Sequence, residues 1–245
     1  MKKIIFAFIV LLSCSVLAAL TITLSPEEAS TGNPETPNLT PAPAGTVPIA
    51  VPVHGDYSIQ PPAVCRNLQI FLITGKDTVK GKEYFSLSEA LEKKWVKVNE
   101  TGTVNELTII NYSEKWVYIN SGDIVKGGRQ DRTIGYDMLL PPKSGEIPLK
   151  SFCVESGRWR KRGNERADAF SANTTTLSTR KQKIAAKYES NQSEVWSGVS
   201  ELQNKLNENV SAIKGEEVDV RSGESESSLQ LTLENDDLKS IMNEY

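Results

Sequence analysis

Apolar and polar residues alternate along the middle of the chain in a pattern that predicts a series of short β-strands. The first is the β-branched and aromatic run Leu68–Ile73, which opens the predicted domain. Further strands are predicted at Trp95–Val98, Glu106–Tyr112, Trp116–Ile119, Ile124–Val125, Tyr136–Leu140 and Leu149–Glu155. Because the connections between these strands are short, we expect them to pair mainly in the antiparallel direction.

Helical periodicity replaces this alternation in the second half of the chain. Thr176–Glu189 and Glu194–Val210 contain no proline, and apolar residues recur on one face of the second segment. A shorter helix is predicted at Leu87–Lys93, where Ser86 and Glu89 match the capping box of a helix start. Strands followed by helices predict an α+β fold, with a largely antiparallel β core followed by two helices.

Composition divides the chain into four segments. Residues 63–213 hold the α+β domain. Residues 214–245 form a Gly-, Ser- and Glu-rich C-terminal segment that we expect to be partly disordered, with strand-like alternation at Leu229–Leu233. Nine of the twelve prolines fall within residues 25–62, which predicts a disordered, Pro- and Thr-rich linker because the segment has too little apolar surface to fold. Residues 1–24 precede this linker as a targeting segment.

The first 24 residues have the features of an export signal. Two lysines precede the apolar run Ile4–Leu12, and small residues before Ala19 offer a cleavage site for a signal peptide. Two alternatives remain. One is a lipoprotein, because the residues before Cys14 resemble a prokaryotic lipobox, and the other is an uncleaved anchor, because Ile4–Ile22 is long enough to span a bilayer. Each predicts an extracytoplasmic protein that is secreted or anchored to the membrane by its N-terminus, with no other membrane contact.

The remaining composition argues against several classes of function. A net charge of −3 provides no basic field for nucleic acid, and the short basic run Arg158–Arg162 is interpreted as a solvated loop. His54 is the only histidine and lies in the linker, which argues against histidine catalysis and histidine metal sites. No G-x-G-x-x-G, Walker or G-x-S-x-G motif is present, so no cofactor is predicted. Cys65 and Cys153 are candidates for a disulfide bond, with two small buried residues as the alternative.

Charged residues are concentrated in two segments, Gly127–Arg132 and Cys153–Trp159. The glycine pair of the first segment could leave backbone N–H groups free for an anion, with Arg129 and Arg132 beside it. In this hypothesis Arg132 and Arg158 contact the anion. The amide at position 130 provides specificity, and the indole at position 159 forms one wall of the site.

The alternative interpretation of these residues is a structural charge network. Arg132 would pair with Glu155 across neighbouring strands, and Arg158 would bridge Asp131 or stack on Trp159. Asp131 and Glu155 also suggest a pair of catalytic carboxylates. Both would stay ionised among so many arginines, which favours ion pairing over general-acid chemistry.

The same segments resemble a known family. Gly122-Asp123, the run Gly127–Arg132 (GGRQDR) and the run Cys153–Trp159 (CVESGRW) match its pattern. The chain resembles, from about residue 67 to 199, an uncharacterised prokaryotic family named for its association with ADP-ribosylglycohydrolase and rhodanese-phosphatase domains. It departs from the family pattern at positions 123 and 131, which are both Asp here and more often Glu and Asn there. The family name implies a genomic link to ADP-ribose or phosphate chemistry.

Together, these predictions describe an exported or membrane-tethered module that binds a small anionic or nucleotide-like ligand. The predicted ligand-binding residues are Gly127, Gly128, Gln130, Arg132, Glu155, Arg158 and Trp159. No catalytic residue, metal ligand or cofactor is predicted, so binding is favoured over catalysis. The alternatives are a structural or protein-interaction domain of the cell envelope with a buried charge network, and a hydrolase of phosphate or ADP-ribose derivatives.

Overall fold

The computed structural model describes residues 57–76, 81–173 and 175–245. The predicted signal or anchor segment, residues 1–24, therefore lies outside the described residues, as does most of the predicted linker. None of the helices in the described ranges is long and apolar enough to cross a membrane. The chain forms two compact units, of which the larger spans Gly81–Glu244.

The described part of the smaller unit consists of two short antiparallel pairs. Strand β1 (Tyr57–Ile59) pairs with β4 (Ile73–Gly75), and β2 (Ala63–Cys65) pairs with β3 (Leu68–Ile70). The predicted strand Leu68–Ile73 is therefore two strands with different partners. Strand β1 also falls inside the segment that was predicted to be linker.

The larger unit contains nine strands and five α-helices within its described residues. The strands are β5 (Tyr84–Ser86), β6 (Val96–Glu100), β7 (Glu106–Asn111), β8 (Trp116–Ile119), β9 (Ile124–Gly127), β10 (Arg132–Ile134), β11 (Met138–Leu140), β12 (Ile147–Cys153) and β13 (Phe170–Ser171). The helices are α1 (Leu87–Glu92), α2 (Arg180–Ile184, continued by a π-helical turn at Ala185–Glu189), α3 (Gln192–Lys214), α4 (Leu229–Leu233) and α5 (Asp236–Met242). Helix α1 begins with the predicted capping box, in which Ser86 and Glu89 bond each other's backbone N–H groups.

The central sheet is antiparallel and nearly closed. Its six strands run in the order β13-β9-β10-β12-β7-β6, and a bridge between Asn99 and Ala169 brings its two ends together. A second sheet, β11-β8-β5, contains the parallel pair β5 and β8. The predicted α+β fold with a largely antiparallel core is thus confirmed.

Successive side chains of the strands point to opposite faces of the sheet and so contribute to two separate hydrophobic cores. On β12, Leu149 belongs to the core enclosed by the sheet, whereas Phe152 belongs to the core under the helices. Helix α3 contributes Val199 and Leu202 of its predicted apolar face to the second core, and Val195 joins them there. The helices therefore cover one outer face of the sheet, next to the end of β12.

The C-terminal segment is part of this second core, contrary to the prediction of partial disorder. Val220, Leu229 and Leu233 are fully buried in it. Leu229–Leu233 is helix α4 rather than a strand, with Ser228 capping its first turn. Two leucines four residues apart also lie on one helical face, so the short alternation could not distinguish the two structures.

Candidate functional site

Three polar side chains point into the enclosed end of the central sheet. Arg132 on β10 lies directly opposite Cys153 on β12, so their side chains share one face of the sheet. Glu100 ends β6 and continues the inward alternation of Val96 and Val98. The strand register therefore brings the arginine, the thiol and the carboxylate together from three separate parts of the chain.

Arg132 is fully buried and does not reach an open pocket. Its Nη1 donates to Cys153 Sγ at 2.6 Å, and its Nη2 lies 3.6 Å from Glu100 Oε2. The ring of Trp159 covers the guanidinium, with 5.3 Å between the Cζ atom and the ring centroid. The predicted pair of Arg132 with Glu155 is wrong, because Glu155 lies two residues beyond Cys153, past the end of β12.

Cys153 is a buried thiol and not half of a disulfide. Cys65 and Cys153 are both free cysteines, so the candidate bond between them is not formed. Burial raises the pKa of the Cys153 thiol, and the neighbouring Arg132 opposes this only in part. The thiol therefore serves Arg132 as a neutral, weak hydrogen-bond acceptor.

Asp131 lies at the centre of a second group of buried charges. Its Oδ1 accepts bonds from the Gly127 N–H at 3.0 Å and from Arg162 Nη2 at 3.1 Å. Its Oδ2 accepts bonds from Arg162 Nη1 at 3.0 Å and from the Ser228 hydroxyl at 3.2 Å. Burial opposes the charge of Arg162, but Asp131 and then Glu165 raise its pKa above the usual value. Arg162 is therefore a buried ion-pair partner and not part of a solvated loop.

Glu155 pairs with Arg158 at the end of β12. Arg158 Nε lies 2.8 Å from both carboxylate oxygens of Glu155, and Nη2 lies 2.7 Å from one of them. Burial alone would raise the pKa of Glu155, but the bonds from Arg158 and Ser225 lower it. Arg158 Nη2 is also 3.6 Å from Asp131 Oδ1, so of the two predicted alternatives for Arg158 the bridge to Asp131 is present.

The charges of this region balance each other. We call the six side chains the buried charge network: Glu100, Asp131, Glu155, Arg132, Arg158 and Arg162. Three carboxylates face three guanidiniums, so each buried charge has a partner of opposite sign. Neither of the two candidate catalytic carboxylates is available as a general acid or base, because both already accept bonds from arginines.

The glycine pair supports the network rather than an anion. Gly127 (φ +124°) donates its N–H to Asp131, and Gly128 (φ +58°) donates its N–H to the carbonyls of Arg166 and Ala169. Positive φ angles explain why glycine is needed at both positions. The predicted cradle of free N–H groups is therefore wrong. Gln130 is likewise buried, and its amide makes no hydrogen bond to any described residue.

An open pocket of about 770 Å³ lies beside the network. Residues 156–160 form one wall and residues 223–227 form the other. We call it the Arg158 pocket. Of the seven predicted binding residues, Arg158 and Trp159 line it, whereas the other five do not. Its volume is within the range of small-molecule sites.

Serine hydroxyls hold the two walls of the Arg158 pocket together. The Ser227 hydroxyl donates to the carbonyl of Ser156 at 2.8 Å and accepts the Ser156 N–H at 3.0 Å. Next to it, Ser228 bonds Asp131, and the N–H of Leu229 bonds the carbonyl of Val154 at 3.1 Å. The C-terminal segment is thereby fixed to the end of β12, with the pocket between them.

A second pocket, of about 620 Å³, lies elsewhere on the larger unit. Lys126 and Glu234 line it and pair with each other at 2.6 Å. Asn173 also lines it and bonds Gln230 through both amide groups. Because these polar groups satisfy each other, this pocket gives less reason to expect a ligand than the Arg158 pocket.

Asp123, the acid of the Gly122-Asp123 pair in the family pattern, belongs to a turn. Its Oδ2 accepts the N–H of Asn120 at 3.0 Å. Burial raises the pKa of this carboxyl from 3.8 to about 6, against the opposing effects of the Asn120 N–H and of Lys183. Because its pKa is raised, this carboxyl keeps its proton in the folded chain at pH values where the unfolded chain has already released it.

Asp123→Asn is therefore expected to stabilise the full chain in a pH-dependent way. Between pH 4 and 6 the unfolded chain has released this proton and the folded chain has not, so stability falls as the pH rises through that window. A shift of about two pKa units corresponds to at most about 3 kcal/mol. Thermal melting should show a larger gain for the variant at pH 7.5 than at pH 4.5, and equal gains would contradict the buried carboxyl.

Three residues of the buried site, Glu100, Arg162 and Ser228, were not predicted from the sequence. Glu100 pairs with an arginine 32 positions away, and no sequence signal indicates such a pair before the strand order is known. Arg162 belongs to a basic run of a kind that is typical of solvated loops, so its burial was not predicted. Ser228 did carry a signal, since it stands just before a short apolar run as an N-cap residue does.

Comparison with known protein families identifies the family to which this chain belongs. The model of the ARPP-1 family, described as ARG and Rhodanese-Phosphatase-superfamily-associated Protein domain, matches residues 56–245. The matched range is well over half of the chain and includes the C-terminal segment that forms one wall of the Arg158 pocket. No curated protein and no solved structure matches the chain.

Proposed function

We propose that this chain, which belongs to the family of ARG and Rhodanese-Phosphatase-superfamily-associated Protein domains, is a binding module for a small anionic ligand. The ligand would occupy the Arg158 pocket. The observation that carries this proposal is the cationic wall at residues 158–160, which adjoins an open pocket and rests on the buried charge network. The match to the family includes both walls of the pocket.

Arg160 is the residue of this wall best suited to contact an anion. Its side chain is exposed and has no ion pair within the described residues, whereas Arg158 is committed to Glu155. Arg158 Nη1 donates to the carbonyl of Arg160 at 2.5 Å and thereby fixes the backbone at that position. A guanidinium on a fixed backbone can bind a carboxylate or phosphate through two parallel hydrogen bonds.

Trp159 supplies the apolar part of the same wall. Its side chain is 41% exposed, although its ring lies over Arg132 and within 5.4 Å of the Arg129 guanidinium. These cation–π contacts hold the indole in place next to the pocket. The ligand would meet a rigid wall, which reduces the entropy that is lost on binding.

The buried charge network would then act as the support of the pocket. Two adjacent guanidiniums, Arg158 and Arg162, bond Asp131 and Glu155 and so fix the segment that carries Trp159 and Arg160. Of the predicted binding residues, Arg132 and Glu155 take this supporting role in the proposal, because both are fully buried.

Arg160→Ala is expected to weaken ligand binding without unfolding the protein. Isothermal titration calorimetry of the full chain with ADP, glucose 6-phosphate and succinate would identify the tightest of these probes. For that probe we expect about a tenfold weaker affinity in the variant, since roughly 1.4 kcal/mol is typical of one charged hydrogen bond.

Arg166→Ala is the matched control. Arg166 is an exposed arginine on the same loop that pairs with Asp168 and does not line the pocket. The affinity of the Arg166→Ala variant for the probe should equal that of the wild type. If none of the three probes binds to the wild type at millimolar concentration, the proposal is wrong.

The proposal includes an extracytoplasmic location, either secreted or tethered by the N-terminus. Its support is the pattern of residues 1–24, in which two lysines precede an apolar run. Fusion of residues 1–62 to a reporter enzyme that folds only after export would test it. Activity of the fusion is expected, and an inactive reporter in the cytoplasm would contradict the location.

A second candidate function is a structural or protein-interaction domain. The observation that favours it is the mutual compensation of the six buried charges, which a stable scaffold needs with or without a ligand. In that case substitutions in the buried charge network would still destabilise the fold. No small anion would bind to the wild type, and Arg160→Ala would change neither binding nor stability. The calorimetric titration therefore separates the two candidates.

A further inference from the structure

The two walls of the Arg158 pocket carry opposite charges. Arg160 stands on one wall, and Glu224 and Glu226 stand on the other. All three side chains are exposed, and none of them forms an ion pair with a described residue. The pocket therefore has one cationic and one anionic side.

Hydrogen bonds fix the backbone of the wall that carries the two glutamates. Ser227 binds the backbone of Ser156 through two hydrogen bonds, and Gln203 Nε2 donates to the carbonyl of Glu226 at 2.8 Å. Ser228 holds the end of the same wall to Asp131. The backbone of the second wall is therefore bonded to other parts of the chain, and Arg160, Glu224 and Glu226 line the pocket between the two walls.

Such a pocket would discriminate between ligands by charge. Two carboxylates repel a ligand that carries only negative charge, and this repulsion lowers its affinity even where Arg160 attracts it. An ammonium group on the ligand offsets this repulsion, because it is attracted to the two carboxylates and donates hydrogen bonds to them. The Ser225 hydroxyl, on the same wall, is a further acceptor for such a group.

We propose that the ligand of the Arg158 pocket is a small zwitterion, with its oxyanion at Arg160 and its ammonium group at Glu224 and Glu226. This inference rests on the proposed function and narrows it from any small anion to one that also carries a cation. Trp159 lies beside Arg160 on the same wall and would contact the carbon atoms between the two charged groups.

Two phosphate monoesters test the inference by calorimetry on the full chain. O-phosphoethanolamine carries the ammonium group, whereas glycerol 1-phosphate carries hydroxyls in its place. We expect O-phosphoethanolamine to bind at least tenfold more tightly to the wild type. The double variant Glu224→Gln and Glu226→Gln should remove this preference, while its affinity for glycerol 1-phosphate stays the same or rises.

The control is the double variant Glu216→Gln and Glu217→Gln. These two glutamates are also exposed and lie a few residues before the pocket wall in the sequence, but they do not line the pocket. The control should keep the full preference for O-phosphoethanolamine. A melting curve of each variant verifies that the fold is retained.

The possible outcomes distinguish this inference from the proposed function. Equal affinity of both probes for the wild type would overturn the zwitterion and leave the anion-binding function intact. A preference that persists in the Glu224→Gln and Glu226→Gln variant would also overturn it, since the ammonium group would then bind elsewhere. If neither probe binds, the inference fails, whereas the proposed function is decided separately by the titrations with ADP, glucose 6-phosphate and succinate.

Discussion

Asp131→Ala is expected to lower the free energy of unfolding by about 3–5 kcal/mol, the usual effect of breaking a buried ion pair. The carboxylate accepts four hydrogen bonds, two of them from Arg162, and is fully buried. Its removal would leave the guanidinium of Arg162 without this partner in the protein interior. For a domain of this size the melting temperature should fall by roughly 6–20 °C.

Asp168→Ala provides the control for this effect. Asp168 also pairs with an arginine, but both side chains of that pair are about two-thirds exposed. The melting temperature of the control should equal that of the wild type, because exposed pairs are screened by water. Equal melting temperatures for Asp131→Ala and Asp168→Ala would contradict the existence of a buried charge network.

Gly128→Ala is the second substitution with a large expected effect. The added Cβ atom would lie 2.3 Å from Phe170 Cζ and 2.9 Å from Glu100 Oε2. The positive φ of +58° adds strain of about 1–2 kcal/mol for a residue with a side chain, and overpacking of a core adds about 1–3 kcal/mol. We therefore expect a loss of roughly 2–5 kcal/mol in chemical denaturation.

Gly163→Ala separates the two contributions. Gly163 has a similar positive φ of +45°, but no atom lies within 4 Å of the position that its Cβ would take. This variant should show the backbone strain alone, at about 1–2 kcal/mol. If Gly128→Ala loses no more stability than Gly163→Ala, the close packing of Phe170 and Glu100 against the glycine is wrong.

Much of the fold could be predicted because local patterns determine it. The alternation of β7 predicted Glu106–Tyr112, and the strand is Glu106–Asn111. The capping box at Ser86 likewise identified the start of α1. Strand β10 was missed, because its three residues begin with a buried arginine and carry no alternating pattern. Its existence depends on pairing with β9 and β12.

The candidate site could be predicted only in part, because its pairs depend on strand register. The bridge from Arg158 to Asp131 is present and was one of two predicted alternatives, the other being a stack of Arg158 on Trp159. The partner of Arg132 was not predicted, because the register places Cys153 opposite it and leaves Glu100 as the nearest carboxylate. A segment rich in Gly, Ser and Glu also gave no indication that residues 223–227 would form a pocket wall.

The charged segments have a different role in the structure from the one predicted for them. The predicted binding residues Arg132 and Glu155 become parts of a support, and the exposed Arg160 becomes the proposed contact with the ligand. The buried charge network and the Arg158 pocket therefore have separate tests. Asp131→Ala tests the network through stability, and Arg160→Ala tests the pocket through affinity.

The most direct test of the central claim is a crystal structure of the protein with the tightest-binding phosphate probe. We predict density for the probe between residues 156–160 and 223–227, with its phosphate within hydrogen-bond distance of the Arg160 guanidinium. Arg132 should remain buried beneath Trp159 in that structure. A probe bound at any other place, or a phosphate that contacts Arg132 and not Arg160, would contradict the account.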